Sequence, residues 1–204
     1  MIKNYIFDFG NVLAWFDPYD LTAAHVQDEN ARKIISNIVF DRLYWDRLDD
    51  GSITDDEVKR GFCSRLPQEL HEDACRVYDK WVVSMPPVDG MKDVAAELKA
   101  RGHRLYLLSN ISIGFADTYT QCPYIRDVFA LFDGLVFSGP IGMAKPNREI
   151  FEHLLGRFDL TADECLFIDD NAANIAAAEA IGIHGYLFNG DADALRIFLF
   201  PEES

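Results

Sequence analysis

Ile2-Lys3-Asn4-Tyr5-Ile6-Phe7-Asp8-Phe9-Gly10-Asn11-Val12-Leu13 is the stretch on which the reading turns. Its opening is a short apolar run that stops at Asp8 and then a glycine, the pattern of a buried strand that delivers a carboxylate to a loop. Alone the pattern is ordinary, because an aspartate ahead of a glycine turn is also a common turn cap.

The pattern recurs along the chain. Apolar runs at 105–108, 134–137, 165–168 and 185–188 end in Ser109-Asn110, Ser138-Gly139, Asp169-Asp170 and Asn189-Gly190. Helical spacing lies between them. In 88–101 the apolar residues Val88, Met91, Val94 and Leu98 fall three or four apart and Gly102 follows as a stop. Residues 148–158 place Ile150, Phe151, Leu154, Leu155 and Phe158 on one stripe, with Pro146 just upstream. Residues 171–181 are alanine-rich and end at Gly182. Alternating strand and helix predicts an α/β fold, a Rossmann-like three-layer sandwich around a parallel sheet, with ligands at the carboxyl ends of the strands.

Residues 18–85 break the alternation, with several helical segments and no convincing strand. Thr54 and Glu57 form a capping-box pattern, so a helix is expected to start near Asp55. Thr161 and Glu164 repeat the spacing directly before a strand and predict no long helix. The expected organisation is a core of 1–17 and 86–204 carrying a small helical cap, 18–85, inserted after the first strand and closed by Pro86-Pro87.

The 204 residues suffice for such a core, and 49% hydrophobic with 26% charged residues is a globular composition. A formal net charge of −15 without a Lys/Arg run argues against nucleic acid and anionic membranes as partners. A phosphorylated ligand would need a local cation. Cys63, Cys75, Cys122 and Cys165 are widely spaced without a zinc pattern, so reduced thiols and a cytoplasmic setting are expected. Asp8 interrupts the apolar N-terminus too early for a signal peptide, and no apolar run is long enough to span a bilayer.

With Asp8-Phe9-Gly10-Asn11-Val12 at the first strand end, Ser109-Asn110 at the second, Lys145-Pro146 before a helix and Asp169-Asp170 with Asn174 at the fourth, the chain resembles the haloacid dehalogenase-like hydrolase superfamily over nearly its full length. Within it the chain is most similar to small sugar-phosphate phosphatases, the bacterial alpha-glucose-1-phosphate phosphatases among them, which begin with the same Asp-x-Gly-Asn-Val. The resemblance implies a Mg2+-dependent phosphatase acting on a small phosphorylated metabolite, a sugar phosphate by preference, through an aspartyl-phosphate on Asp8.

A carboxylate held in line with a neutralised phosphoryl group can divide one hard displacement into two easier ones. The resemblance makes Asp8 the nucleophile and Lys145 the cation that faces both nucleophile and phosphate. It makes Ser109 and Asn110 phosphate-binding. It gives Mg2+ to an Asp8 oxygen, the Gly10 carbonyl and Asp170, with Asp169 adjacent and able to act through water. Asn174 is placed to brace the acidic loop.

One departure stands out. Most phosphatases of the superfamily carry a second aspartate two residues after the nucleophile as acid and base, and here Gly10 occupies that position. Either the leaving group needs less help or another acid reaches in, with Asp17 and Asp46 as candidates. Two rival readings remain: a 2-haloacid dehalogenase, which the adjacent acids Asp169 and Asp170 disfavour, and a catalytically weak binding or regulatory protein. In the cap, Trp15, Phe16 and the Tyr44-Trp45 pair are candidate pocket aromatics, flanked by Arg42 and Arg47. A monomer or weak homodimer is expected.

Overall fold

The computed structural model describes residues 1–201, and all five expected strands join one sheet. The chain opens with β1 (Asn4–Phe7). Five helices follow: α1 (Pro18–Ala23), α2 (Glu29–Val39), α3 (Arg42–Asp49), α4 (Asp55–Cys63) and α5 (His71–Ser84). Next come α6 (Met91–Ala100), β2 (Arg104–Ser109), α7 (Ile113–Thr118), α8 (Pro123–Phe129) and β3 (Gly134–Phe137). The chain continues through α9 (Ser138–Ile141), α10 (Arg148–Phe158) and β4 (Cys165–Asp169), then α11 (Ala172–Glu179), β5 (His184–Leu187) and α12 (Ala192–Leu199).

All strand pairs are parallel, in the order β3-β2-β1-β4-β5. The two-residue period of a strand divides its side chains between two cores. Tyr5, Phe7, Leu105, Leu107 and Ile168 pack on one face with Met91, Leu98, Phe115 and Val128. Ile6, Tyr106, Leu108 and Phe167 pack on the other with Ile150, Phe151, Leu154 and Ala178. Burial on both faces explains why the strands read as apolar runs, and the result is a three-layer α/β sandwich. From β1 the chain steps outward to β2 and β3 and then returns to β4 on the other side of β1. The crevice beyond the carboxyl ends of β1 and β4 is therefore the topological switch point.

The helices α1 to α5 lie between β1 and β2 without an intervening strand among the described residues. Side chains satisfy their first amides: Asp17, Asp28, Asp41 and Thr54 each cap a helix. The expected capping box forms, with Glu57 N donating to Thr54 Oγ1 at 3.2 Å and Thr54 N to Glu57 Oε2 at 2.9 Å. Thr161 leads only into a 3-10 turn, Ala162–Glu164. After α3, Gly51 turns with φ +72°, and a side chain there would run into the Gly139 carbonyl. Only glycine permits that approach, which seats the end of α3 against the end of β3.

The structure adds α7, α8, α9 and α12, none longer than eight residues and so too short for a visible apolar period. Cys63 and Cys75, distant in sequence, bring their sulfurs to 3.9 Å across α4 and α5. Among the described residues no helix is long and apolar enough to cross a membrane.

Candidate active site

Phe7 pairs with Ile168 in the parallel register, so the residues that follow, Asp8 and Asp169, leave the sheet side by side. Lys145 joins them: its Nζ lies 2.8 Å from Asp8 Oδ1 and 2.7 Å from Asp169 Oδ2. Asp8 Oδ1 also accepts the Phe9 amide at 2.7 Å. Asp169 is wholly buried, and besides Lys145 it accepts Asn174 Nδ2 at 3.0 and 3.1 Å and Asn171 N at 2.8 Å.

Backbone contacts fix the surrounding loops. Asn110 Nδ2 donates to the Lys145 carbonyl and Lys145 N donates to Asn110 Oδ1, both at 2.8 Å, so this side chain clamps the lysine loop to β2. Ser138 Oγ, fully buried, accepts Ile111 N at 2.8 Å and ties the ends of β2 and β3. Asn11, at φ 56°, donates to Asp170 Oδ2 at 3.0 Å and accepts Phe16 N at 3.0 Å. Asparagine tolerates that left-handed conformation better than most residues.

Charge is crowded here. Burial raises the Asp8 carboxyl to about 7, Lys145 pulls it down and Asp169 pushes it up again. Burial works against the Lys145 ammonium, but Asp8 and Asp169 outweigh it and hold it above its ordinary range. Asp170, though its residue surface is exposed, is also raised, first by partial desolvation of its carboxyl, with the Asn11 hydrogen bond opposing and Asp169 adding to the shift.

The ligand oxygens of Asp8, Asp169 and Asp170 all lie within 4.8 Å of one another. Three carboxylates against one ammonium leave a negative excess that a cation would relieve, and an all-oxygen set suits a hard divalent ion. The two aspartates after β4 differ, however. Asp169 has both oxygens engaged by Lys145, Asn174 and a backbone amide, an arrangement in which it stands adjacent to the cluster as a held acid. Asp170 is exposed and opens with Asp8 and Gly10 onto the same cavity.

Two connected spaces meet at Asp8. A cavity of about 220 Å³ is walled by Phe16, Phe40, Trp45, Trp81 and Met85 over a floor of Asp8, Gly10, Ser109 and Asn110. Its polar mouth, about 510 Å³, adds Asn11, Lys145, Asp170 and Asn174. Arg42, Asp46 and Asp49 of α3 line both. In the wall Trp45 stacks on Phe40 and meets Phe16 and Trp81 edge-on, with centroids 5.2 to 5.7 Å apart. Trp81 in turn stacks on Phe115 of α7.

Phe16, Trp45 and Arg42 thus reach the cavity as the sequence allowed. Trp15 does not: it is 40% exposed, and its ring lies against Gly190. Tyr44 is buried beside Gly61, and Arg47 does not line the space. Asp17 accepts Asp20 N as the cap of α1, and Asp46 is an exposed partner of Arg42 at 3.7 Å. Sequence reasoning missed Asn11 as an anchor, Phe40 and Trp81 as wall, and Asp49. The last had a signal: Arg42, Trp45, Asp46 and Asp49 are spaced three, four and seven apart on one helix face.

The family model described as haloacid dehalogenase-like hydrolase matches residues 2–182. The chain is 29% identical over 183 residues to a sesquiterpene phosphatase of Aspergillus oryzae, covering 90% of this chain and 88% of that one. It is 26% identical over 204 residues to a D-ribitol-5-phosphate phosphatase of Bacteroides thetaiotaomicron, covering 95% of each. A haloacid dehalogenase-family enzyme of the same bacterium, crystallised as a variant with magnesium and inorganic phosphate, superposes with a TM-score of 0.72 at 25% identity, covering 96% of this chain and 99% of that one. The chain belongs to the haloacid dehalogenase-like hydrolase family and is a hydrolase with phosphatases among its relatives.

Proposed function

We propose that this hydrolase is a Mg2+-dependent phosphatase that passes the phosphoryl group of a small phosphate monoester to Asp8 and then to water. The observation that carries the reading is the setting of Asp8, whose carboxylate opens onto the cavity with Lys145 at 2.8 Å and the exposed Asp170 beside it. Phe9 N–H and Lys145 both hold Asp8 Oδ1, which fixes the carboxylate's orientation for attack on phosphorus.

Lys145 faces the phosphoryl group as well as the nucleophile. Ser109, at the end of β2, lines the cavity floor, and its hydroxyl has no hydrogen-bond partner among the described residues, so it can donate to a phosphoryl oxygen. Asn110 keeps this loop in place and adds a donor. Asp8, the Gly10 carbonyl and Asp170 would hold the magnesium ion, which when bound neutralises the phosphoryl oxygens. Residues 18–85 act as the cap over the core of 1–17 and 86–204, excluding water from the floor.

For the organic part, the wall of Phe16, Phe40, Trp45, Trp81 and Met85 favours an ester with an apolar face, in keeping with the sesquiterpene phosphatase relative. A sugar or polyol phosphate is the second reading. It is supported by the D-ribitol-5-phosphate phosphatase relative and by Arg42, Asp46 and Asn110 as partners for hydroxyls.

Phosphate release from prenyl, aryl, sugar and nucleoside phosphates, with Mg2+ and with chelator, tests the reading. Metal-dependent release is expected, strongest for the apolar esters, falling at least about a thousandfold in Asp8→Asn. Brisk nucleotide hydrolysis with inert apolar and sugar esters would overturn the substrate assignment. Chloride release from chloroacetate without metal would replace the phosphatase by a dehalogenase.

A further inference from the structure

Gly10 leaves the reaction without a group to handle protons at the place where the superfamily usually has one. A carbonyl can accept a cation but cannot give up a proton. The glycine is not there for want of room, since a Cβ built on it meets nothing within 4 Å. The proton must come from elsewhere on the cavity surface.

The geometry points to Asp49, at the end of α3, as the residue that protonates the leaving oxygen and then takes a proton from the attacking water. This inference rests on the phosphatase reading above. Asp49 lines both the apolar cavity and its polar mouth, the two spaces that meet at Asp8. It is half-buried and has no hydrogen bond or ion pair with any described residue. Asp17 caps α1 and Asp169 is saturated, while Asp46, which lines the same two spaces, is exposed and paired with Arg42 at 3.7 Å.

Its position is also fixed. Gly51, two residues on, is seated against the Gly139 backbone, and the turn between them closes through Gly51 N to Leu48 O at 3.1 Å and Ser52 N to Arg47 O at 2.9 Å. The helix end is thereby seated against α9, which directly follows β3 of the sheet that carries Asp8.

The surroundings favour the protonated acid near neutrality. Burial raises the Asp49 carboxyl to about 7, Asp46 and Asp50 push the same way, and Lys145 and Arg42 oppose. Across the mouth stand Asp8 and Asp170, and the C-terminal end of α3 adds its own negative pole.

The balanced sequence has two steps. In the first, an Asp8 oxygen bonds to phosphorus as the ester P–O bond breaks, and the departing alkoxide takes the proton of Asp49. In the second, water attacks phosphorus, the Asp8 O–P bond breaks, and the Asp49 carboxylate receives the water's proton, so that inorganic phosphate leaves and both acids return to their starting state.

The test compares two ester substrates of the 204-residue chain with Mg2+. Phenethyl phosphate has a leaving alkoxide that needs a proton, whereas p-nitrophenyl phosphate has one that does not. In Asp49→Asn the ratio of kcat/KM for the nitrophenyl over the phenethyl ester should rise about a hundredfold. Gly10→Asp added to that variant should restore part of the phenethyl activity. In the unaltered protein kcat/KM for the phenethyl ester should fall above about pH 7, and in Asp49→Asn that limb should vanish. Equal losses on both esters, or an unmoved ratio while Asp8→Asn is dead, would overturn the role of Asp49 alone. Activity surviving Asp8→Asn would overturn the phosphatase reading and this inference with it.

Discussion

At the carboxyl ends of β1 and β4 the buried charges answer one another, Lys145 standing 2.8 Å from Asp8 and 2.7 Å from Asp169, whereas Asp49 across the cavity on α3 has no such partner. The difference separates two requirements of one site. Groups that must stabilise developing charge work best when already oriented, because nothing then reorganises during the reaction. A group that must exchange protons works best when no partner fixes its protonation state. The sheet supplies the first kind, from strand ends and the loops that hydrogen bonds fasten to them. The helices between β1 and β2 supply the second, together with an aromatic wall.

Lys145→Ala is the largest expected disturbance, because it breaks the sheet side of the comparison. Asp8 and Asp169 would share a buried site with no cation between them, and loss of one member of such a network typically costs about 3–5 kcal/mol. Denaturant unfolding without added metal measures it, and activity should fall by about a thousandfold alongside. Trp81→Ala breaks the helical side instead. It removes ring contacts with Phe16, Trp45 and Phe115, with an expected loss of about 3 kcal/mol and, for an apolar ester, a KM that rises more than kcat falls.

Asp49→Asn sharpens the comparison by its sign. The folded carboxyl is raised from 3.8 to about 7, so between those values the folded state holds a proton that the unfolded state has lost. Stability of the unaltered protein therefore falls as pH rises through that window and levels off above it. Asparagine does not titrate, so the variant should match the parent near pH 4 and exceed it above pH 7. The gain is on the order of 1 kcal/mol once solvent screening is allowed for. Melting curves at the two pH values decide it, and a variant less stable at the higher pH would contradict an unpartnered, half-buried acid.

What the sequence could show followed from what the sheet demands. Strands buried on both faces read as apolar runs, and the chain must turn polar where they stop, so Asp8, Ser109 and the Asp169-Asp170 pair stood out in the sequence, whereas Lys145, on a loop before a helix, was marked by the superfamily resemblance. The division of labour between Asp169 and Asp170 was given by the resemblance alone, not by the residues' own pattern. It depends on which of two adjacent carboxylates is drawn back under the sheet end, where Phe188 N bonds the Asp169 carbonyl at 2.9 Å and Lys145 arrives from another loop. The cavity wall was the least legible part. Phe40, Trp45 and Trp81 come from α2's end, α3 and α5, and nothing in local spacing says that these rings converge while Trp15, next to Phe16, turns outward against Gly190. Asp49 fell between the two cases: its helix face was readable, the direction of that face was not.

The aromatic wall carries a consequence for observing the molecule in solution. Of the three tryptophans, Trp45 and Trp81 stand in the cavity lining and Trp15 lies outside it, partly in solvent. Indole emission is sensitive to the polarity and packing around the ring, so two of the three emitters sit where any ligand entering the cavity would change their surroundings. The protein carries its own optical gauge of occupancy, and Trp15 supplies a built-in reference signal against which that gauge can be read.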